Sequence, residues 1–179
     1  MVISPSPSLI IFSGLSGTGK TTLAKVLTRR LGAVHIRIDS IEQAITNAFL
    51  NIQDMEDVGY QVGYAIAEDN LRLGRTVIAD SVNPIALTRK AWSGVAERAG
   101  CQAIEVEVVC SDSAEHRQRI EERISDIPGL IMPNWQAVLD REYEPMIGDH
   151  NIIDTAGKTP EQCLEVLLTH AIFTATGQL

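Results

Sequence analysis

Residues Gly14 to Thr21 read G-L-S-G-T-G-K-T, with three glycines in six positions followed by a lysine and a threonine. Glycines allow backbone angles that other residues resist, so consecutive N–H groups can turn inward and form a concave anion site. A helix expected to start near Gly19 adds the positive end of its dipole. Lys20 supplies a mobile cation for outer phosphates, and the Thr21 hydroxyl is placed to ligate Mg²⁺ between two phosphate groups. The stretch satisfies the phosphate-loop pattern G-x-x-x-x-G-K-[ST] in full. The context agrees, with an apolar strand before it (Leu9–Ser13) and an amphipathic helix after it (Thr21–Gly32). Gly14, Leu15, Ser16, Gly17, Thr18, Gly19, Lys20, Thr21 and Thr22 are therefore expected to hold the triphosphate of a nucleotide.

A second chemistry-bearing stretch is H-R-Q-R-I-E-E-R-I-S-D-I-P-G-L-I-M-P, from His116 to Pro133. Helical spacing puts Arg119 and Arg123 one turn apart on one face. Pro128, Gly129 and Pro133 make the following piece a candidate lid, and the whole lid region spans about 113–133. Arginines beside a mobile lid can close on phosphates and stabilise spreading negative charge. Arg117 serves this purpose or pairs locally with a glutamate on a solvated face. Two apparent motifs are set aside. D-T-A-G (Asp154–Gly157) imitates a GTPase switch but falls near the end of the chain, and no N-K-x-D guanine-reading motif accompanies it. It is better read as a strand end and a turn lining a base pocket, and D-I-P-G is a coincidence of the same kind.

The elements that must position these groups alternate. Strands are expected at Leu9–Ser13, Ala33–Asp39, Thr76–Asp80, Ala103–Cys110 and in N-I-I-D-T, separated by helices. Helices are expected over Ser40–Leu50 and Val58–Leu73. Another should start from N-P-I-A-L, with Asn83 as cap and Pro84 in the first turn. N-W-Q-A-V-L-D-R-E-Y-E-P-M reads as a further helix, and T-P-E-Q-C-L-E-V-L-L-T-H-A-I-F closes the chain with Thr159 as cap. Such alternation means an α/β protein with a parallel sheet covered on both faces. Ligands of these sheets sit at the carboxyl ends of the strands, which puts Ser13, Asp39, Asp80 and Cys110 on one rim. Residues 1–8, with S-P-S-P-S, read as a flexible lead-in, and 9–179 as a single domain. Trp92 reads as core, Trp135 as core or cleft lining, and Met132 and Met146 as packing residues. The four histidines read as surface or satisfied groups rather than catalysts.

The 179 residues carry a formal net charge of −8, which disfavours a nucleic-acid partner because duplex binding needs a broad basic face. A few cations focused in a cleft can still hold a small anion. Three widely spaced cysteines, without a C-x-x-C pair, fit free thiols in a reducing cytoplasm. Neither a signal peptide nor a membrane span is expected. The oligomeric state is not expressed in the sequence. There is no ABC signature, and the length leaves no room for the lid subdomain that AAA+ machines carry after their core.

Four pieces, G-L-S-G-T-G-K-T-T, I-R-I-D-S, V-I-A-D-S-V-N-P and R-I-E-E-R, make the chain similar to the small P-loop kinases. These are related to adenylylsulfate kinase, gluconate kinase, chloramphenicol phosphotransferase and the kinase domain of polynucleotide kinase. The resemblance runs from Leu9 to about Leu168. It implies a three-layer P-loop NTPase fold with strand order 2-3-1-4-5, ATP and Mg²⁺, and transfer of the terminal phosphoryl group to a small hydroxylated acceptor. By resemblance, Asp39 is the candidate general base, with helix capping as its alternative role. Asp80 is a Walker-B-like acid that holds Mg²⁺ or contacts the acceptor, and Asn83 lines the acceptor site or caps the next helix. The resemblance leaves open which of Asp39 and Asp80 is the base. Two departures bear on the acceptor: Glu42 stands where the polynucleotide-kinase branch has arginine, and Val82 where the family has threonine. The alternatives are a nucleotide-binding regulator without efficient turnover and a polynucleotide 5′-kinase.

Overall fold

A computed structural model describes residues 6–48 and 57–169. Its centre is β1 (Ser8–Ser13), whose alternate residues feed two separate cores. Ile10 and Phe12 pack with Leu23 and Leu27 of helix α1 (Lys20–Leu31), and with Ile153 of β5 (Asn151–Asp154) and Leu164 and Leu167 of α7 (Pro160–Leu167). Leu9 and Ile11 point the other way. They meet Ala67 and Leu71 of α3 (Val58–Arg72) and Trp92 and Val95 of α4 (Ala86–Ala99). A strand buried on both faces needs apolar side chains at every position, which is why the run L-I-I-F carries no alternation.

The sheet has five parallel strands in the order β2-β3-β1-β4-β5, with β2 at Val34–Arg37, β3 at Val77–Asp80 and β4 at Gln102–Val109. The expected fold class and strand order are both observed. β4 shows the opposite sequence logic to β1: Ile104, Val106 and Val108 enter the first core, while Glu105 and Glu107 face the other side among polar partners. Trp92 is fully buried and meets Tyr64 edge-on at 4.6 Å, as a core residue should.

Several boundaries differ from the sequence expectation. Ser8 already belongs to β1, and residues 1–5 of the expected lead-in lie outside the described residues. The second strand stops at Arg37, and Asp39 is the second residue of α2 (Ile38–Thr46). The expected end of that helix at Leu50 and the end of the closing helix beyond Thr169 also lie outside the described residues. Asp39 therefore neither ends a strand nor caps the helix, since the cap position is Arg37 without a side-chain cap bond. Thr159 does cap α7, in a reciprocal box with Gln162, and Pro160 takes the first position.

The start of α4 needs a larger correction. Asn83 does not cap it; Asn83 is fully buried at φ 47 and donates from Nδ2 to Phe12 O at 3.1 Å. The N–H of Ala86 instead donates to Glu144 Oε2 at 2.6 Å, a carboxylate from 58 residues further along the chain. The expected helix after Asn134 is correspondingly short: α6 (Trp135–Leu139) ends early, and the segment beyond it runs as an irregular strap over α4 and β4. The strap is pinned by Glu144 N to Pro84 O at 2.8 Å, and by Tyr143 Oη and His150 Nε2, both donating to the Glu107 carboxylate.

Two glycines bring α2 against α3. A Cβ on Gly59 would stand 2.4 Å from Glu42 Cγ, and one on Gly63 would stand 2.5 Å from Ile38 Cδ1. Only the bare backbone of α3 leaves room for α2 to turn Asp39 and Glu42 toward the rim.

Candidate active site

The loop leaving β1 is held by the protein on one side and open on the other. Gly14, at φ 137, donates its N–H to Val82 O at 3.1 Å, and a Cβ there would lie 2.2 Å from Val108 O. Its amide is thus consumed internally, and Gly14 shapes the loop rather than lining it. Leu15 and Thr18 are also structural. Thr18 is buried, its hydroxyl donates to Leu15 O at 3.0 Å, and its amide points at the same carbonyl. Gly14, Leu15 and Thr18, expected among the phosphate-holding residues, thus make internal contacts that shape the loop. The amides of Gly17, Gly19, Lys20 and Thr21 have no acceptor among the described residues. They belong to the part of the loop, Ser16, Gly17 and Gly19 to Thr22, that lines a cavity of about 560 Å³. Gly19 caps α1 in the left-handed region without any side-chain bond, so the dipole end of α1 faces the cavity uncovered.

His116 of α5 (Ser113–Glu122) supports the loop from behind. It is buried and donates from Nε2 to Ser16 O at 2.7 Å, with Trp135 packed edge-on against its ring at 5.2 Å. A Cβ on Gly17 would meet Ile120 Cδ1 at 2.5 Å, so α5 is seated directly against the loop. Trp135 accordingly serves neither the central core nor the cavity wall.

Lys20 is 7% exposed and its Nζ donates to Leu15 O at 2.7 Å. Burial lowers its pKa to about 8, against the pull of Asp80 and Asp39 and with help from Arg123 and Arg141. A buried ammonium with a single carbonyl partner is a cation short of counter-charge. The cavity beside it has the size and polarity to supply one.

Asp39 and Asp80 both line this cavity. Asp80 is buried at the end of β3, where His35 Nε2 donates to its Oδ2 at 3.1 Å. Asp39 is half exposed, with Arg37 Nε 3.9 Å from its Oδ2. Among the described residues no three His, Cys, Asp or Glu side chains gather to hold a metal. Thr21 and Asp80 alone would be a poor cage. They fit a hard cation that takes most of its oxygens from a bound phosphate chain and from water, which is how Mg²⁺ is commonly held.

The two arginines separate. Arg119 is tied to the far side of the cavity: Nη1 donates to Thr155 Oγ1 at 2.7 Å, and Nη2 to Thr155 O at 3.0 Å and Glu115 Oε1 at 2.5 Å. With Thr155, Lys158 and Pro160 it forms the wall next to Gly19, away from the rim acids. Of the D-T-A-G stretch, Thr155 lines this cavity. Arg123 has left the helix; it is the residue after Glu122, with extended backbone, so it does not share a helical face with Arg119. Its Nε and Nη2 are buried without a hydrogen-bond partner among the described residues. Arg117 pairs with Glu121 on the exposed face, the solvated alternative. The segment after Arg123 is fastened to the body by Asp126, which bonds Arg37 Nη1 at 2.7 Å and also Lys25. These two cations hold its carboxyl well below the usual range.

A second cavity of about 350 Å³ adjoins the first and shares Ser16, Asp39, Ser81, Arg123 and Met132 with it. Its remaining walls include Glu42, Tyr60 and Arg141. Met132, expected as packing, is cavity wall. Asn83, expected at the acceptor site, lines neither cavity; its contribution is to fix Phe12 and, through its N–H to Tyr60 Oη at 3.2 Å, one wall residue. Arg141 was missed by sequence reasoning because it falls in a stretch with helical periodicity; only the early stop of α6 turns it toward the rim.

A parallel sheet of order 2-3-1-4-5 with this loop after its central strand is the P-loop NTPase fold. The chain belongs to the AAA domain family, which matches residues 9–128. No curated protein matches the chain. Solved structures of similar fold include three with nearly complete mutual coverage. The Mycobacterium tuberculosis APS kinase in complex with AMPPNP and APS has a TM-score of 0.67 at 19% identity over 91% of this chain and 96% of that one. A gluconokinase from Sinorhizobium meliloti has a TM-score of 0.67 at 18% identity over 97% and 96%. Chaetomium thermophilum Kti12 in complex with ADP-AlF3 has a TM-score of 0.68 at 22% identity over 94% and 98%. At these identities the likeness is one of fold.

Proposed function

We propose that the chain is an ATP-dependent phosphotransferase that moves the terminal phosphoryl group to a hydroxyl of a small-molecule acceptor. The observation that carries this reading is the pair of adjoining cavities that meet at Asp39. One is floored by free amides and a buried cation, the other by polar side chains. A protein that only sensed nucleotide would need the first cavity and not the second.

In this reading the free amides of Gly17, Gly19, Lys20 and Thr21 and the Lys20 ammonium bind the phosphate chain of ATP. The wall of Arg119, Thr155, Lys158 and Pro160 receives the base and sugar. Thr21, with Asp80 through water, would hold Mg²⁺, which when bound neutralises charge on the outer phosphates. Asp39 orients the acceptor hydroxyl. The hydroxyl oxygen attacks the γ-phosphorus, the bond from that phosphorus to the β–γ bridging oxygen breaks, and the proton passes to Asp39. Lys20 stabilises the charge that spreads over the transferred group. Asp39 suits the proton-accepting role better than Asp80, because it reaches both cavities and Asp80 is occupied by His35. The formal charge of −8 and Glu42 at the acceptor wall favour a small acceptor over a polynucleotide end.

The test is ADP release with and without an acceptor panel that includes a 5′-hydroxyl oligonucleotide. Asp39→Asn should bind nucleotide normally and lose about 10²- to 10⁴-fold in acceptor-dependent ADP release. Tight nucleotide binding with no acceptor dependence at all would refute transfer, and labelling of the oligonucleotide would point to the polynucleotide reaction.

A further inference from the structure

Two guanidinium groups stand at the second cavity with no carboxylate within ion-pairing distance among the described residues. Arg123 lines both cavities, and its Nε and Nη2 are buried without a partner among the described residues. Arg141 lines the second cavity and forms no salt bridge among the described residues, although most other arginines of the described chain do. Both guanidinium groups lie near enough to Lys20 to oppose its protonation, so three cations converge on the boundary between the cavities. The buried N–H groups of Arg123 are costly to leave without an acceptor, and the usual remedy for a guanidinium is a planar carboxylate or a phosphate.

Arg141 is not a loose surface group. Asp140 before it closes α6 by donating its N–H to Gln136 O at 2.9 Å. Three residues after it, Glu144 is clamped at both ends, its N–H to Pro84 O and its carboxylate to Ala86 N. Tyr143 is fixed by Glu107 and by Arg89 over its ring at 5.8 Å. The strap therefore delivers a positioned cation to the cavity mouth.

Resting on the phosphotransferase reading above, we propose that Arg123 and Arg141 form an anion subsite, so that the acceptor is a hydroxy acid whose carboxylate they hold while its hydroxyl meets Asp39. Glu42 decides between carboxylate and phosphate. It lies in the same cavity, and burial with the nearby Asp39 raises its pKa. Two arginines set against Asp39 and Glu42 give a cavity with little charge to spare, and a singly charged carboxylate suits this balance better than a dianionic phosphate ester. Arg141 and Arg123 are thus specificity residues for the acceptor, separate from the nucleotide loop.

The test uses the full chain labelled with ¹⁵N at arginine Nε, saturated with AMPPNP, and a set of three- to six-carbon hydroxy acids. Each acid is paired with its alcohol reduced at the carboxylate and with a phosphate ester of that alcohol. Arg123→Lys and Arg141→Lys assign the two signals. At least one acid should move both signals with a common dissociation constant, and bind about 10- to 100-fold tighter than its alcohol. Arg141→Ala, an exposed position, should abolish that preference. Failure of every acid to move both signals, equal binding of the alcohols, or tighter binding of the phosphate esters would overturn the carboxylate subsite. Because the readout needs no turnover, shifts without any ADP release would refute the transfer reading and leave the subsite standing.

Discussion

Nucleotide binding near pH 8 must draw a proton from solution if Lys20 is the cation that meets the phosphates. The Lys20 ammonium is buried against one carbonyl, and burial brings its pKa from 10.5 to about 8. At pH 8 about half of the molecules therefore carry a neutral Lys20 before nucleotide arrives. A phosphate chain placed against the free amides of Gly17, Gly19, Lys20 and Thr21 brings at least two negative charges within contact of Nζ. Such a neighbour returns the pKa toward or beyond its ordinary value. Binding should then take up about half a proton per nucleotide at pH 8, and almost none at pH 6.5, where Lys20 is already charged. Calorimetry in two buffers of different ionisation enthalpy reads this number directly. Lys20→Met should remove the pH 8 uptake entirely. The same burial has a consequence for stability. The folded pKa lies below the unfolded one, so the unfolded chain binds more protons between about pH 8 and 10.5 and stability rises with pH across that window. Below pH 8 the charged, buried Lys20 costs the nucleotide-free protein about 3 kcal/mol. Lys20→Met should consequently unfold at higher denaturant than the parent at pH 7 while losing turnover. Equal proton uptake by parent and variant at pH 8, or a less stable variant, would refute this account of the loop.

The loop glycines should separate by what surrounds them. Gly14→Ala, with a Cβ 2.2 Å from a backbone carbonyl, should cost about 3 kcal/mol in urea unfolding, whereas Gly148→Ala, equally left-handed but in open space, should cost about 1 kcal/mol. Glu144→Ala removes the remote acceptor of the α4 amide and should cost about 1 kcal/mol, checked in the same assay, with loss of acceptor discrimination because the strap bearing Arg141 is freed. Asp126→Asn should speed hydrogen exchange across residues 124–130 with less than about 1 kcal/mol lost in global stability, since Asp126 itself and its partner Lys25 are substantially exposed. Because the folded pKa of Asp126 is depressed, its contribution is complete above the ordinary carboxylate pKa and fades as pH falls below about 4, which exchange measured at pH 3 and pH 6 would reveal.

The sequence by itself determined the parallel sheet, the phosphate loop and the two core faces, because each is written in local terms. The run L-I-I-F can only be a doubly buried strand, and G-x-x-x-x-G-K-T can only be read as an anion nest when a strand precedes and a helix follows. It also indicated Lys20, through the loop motif, and Asp80, through the shared rim of strand ends, as cavity groups; Asp39 reaches the same cavity from the first turn of α2 rather than from the strand end expected. Tertiary structure alone decided which groups face the ligand. Gly14 has the motif's signature, yet its amide is taken by Val82. Arg119 and Arg123 are four residues apart, but the helix ends between them, so one walls the first cavity and the other also reaches the second. Asn83 looked like a cap until Glu144, brought in from the strap, took that bond and left Asn83 in the core. The second cavity combines α2, α3, the segment after α5 and the strap, and no local pattern encodes that meeting. Spacing along a chain fixes periodicity and turn chemistry, while the partner of a given amide or guanidinium is settled by which distant segments pack beside it.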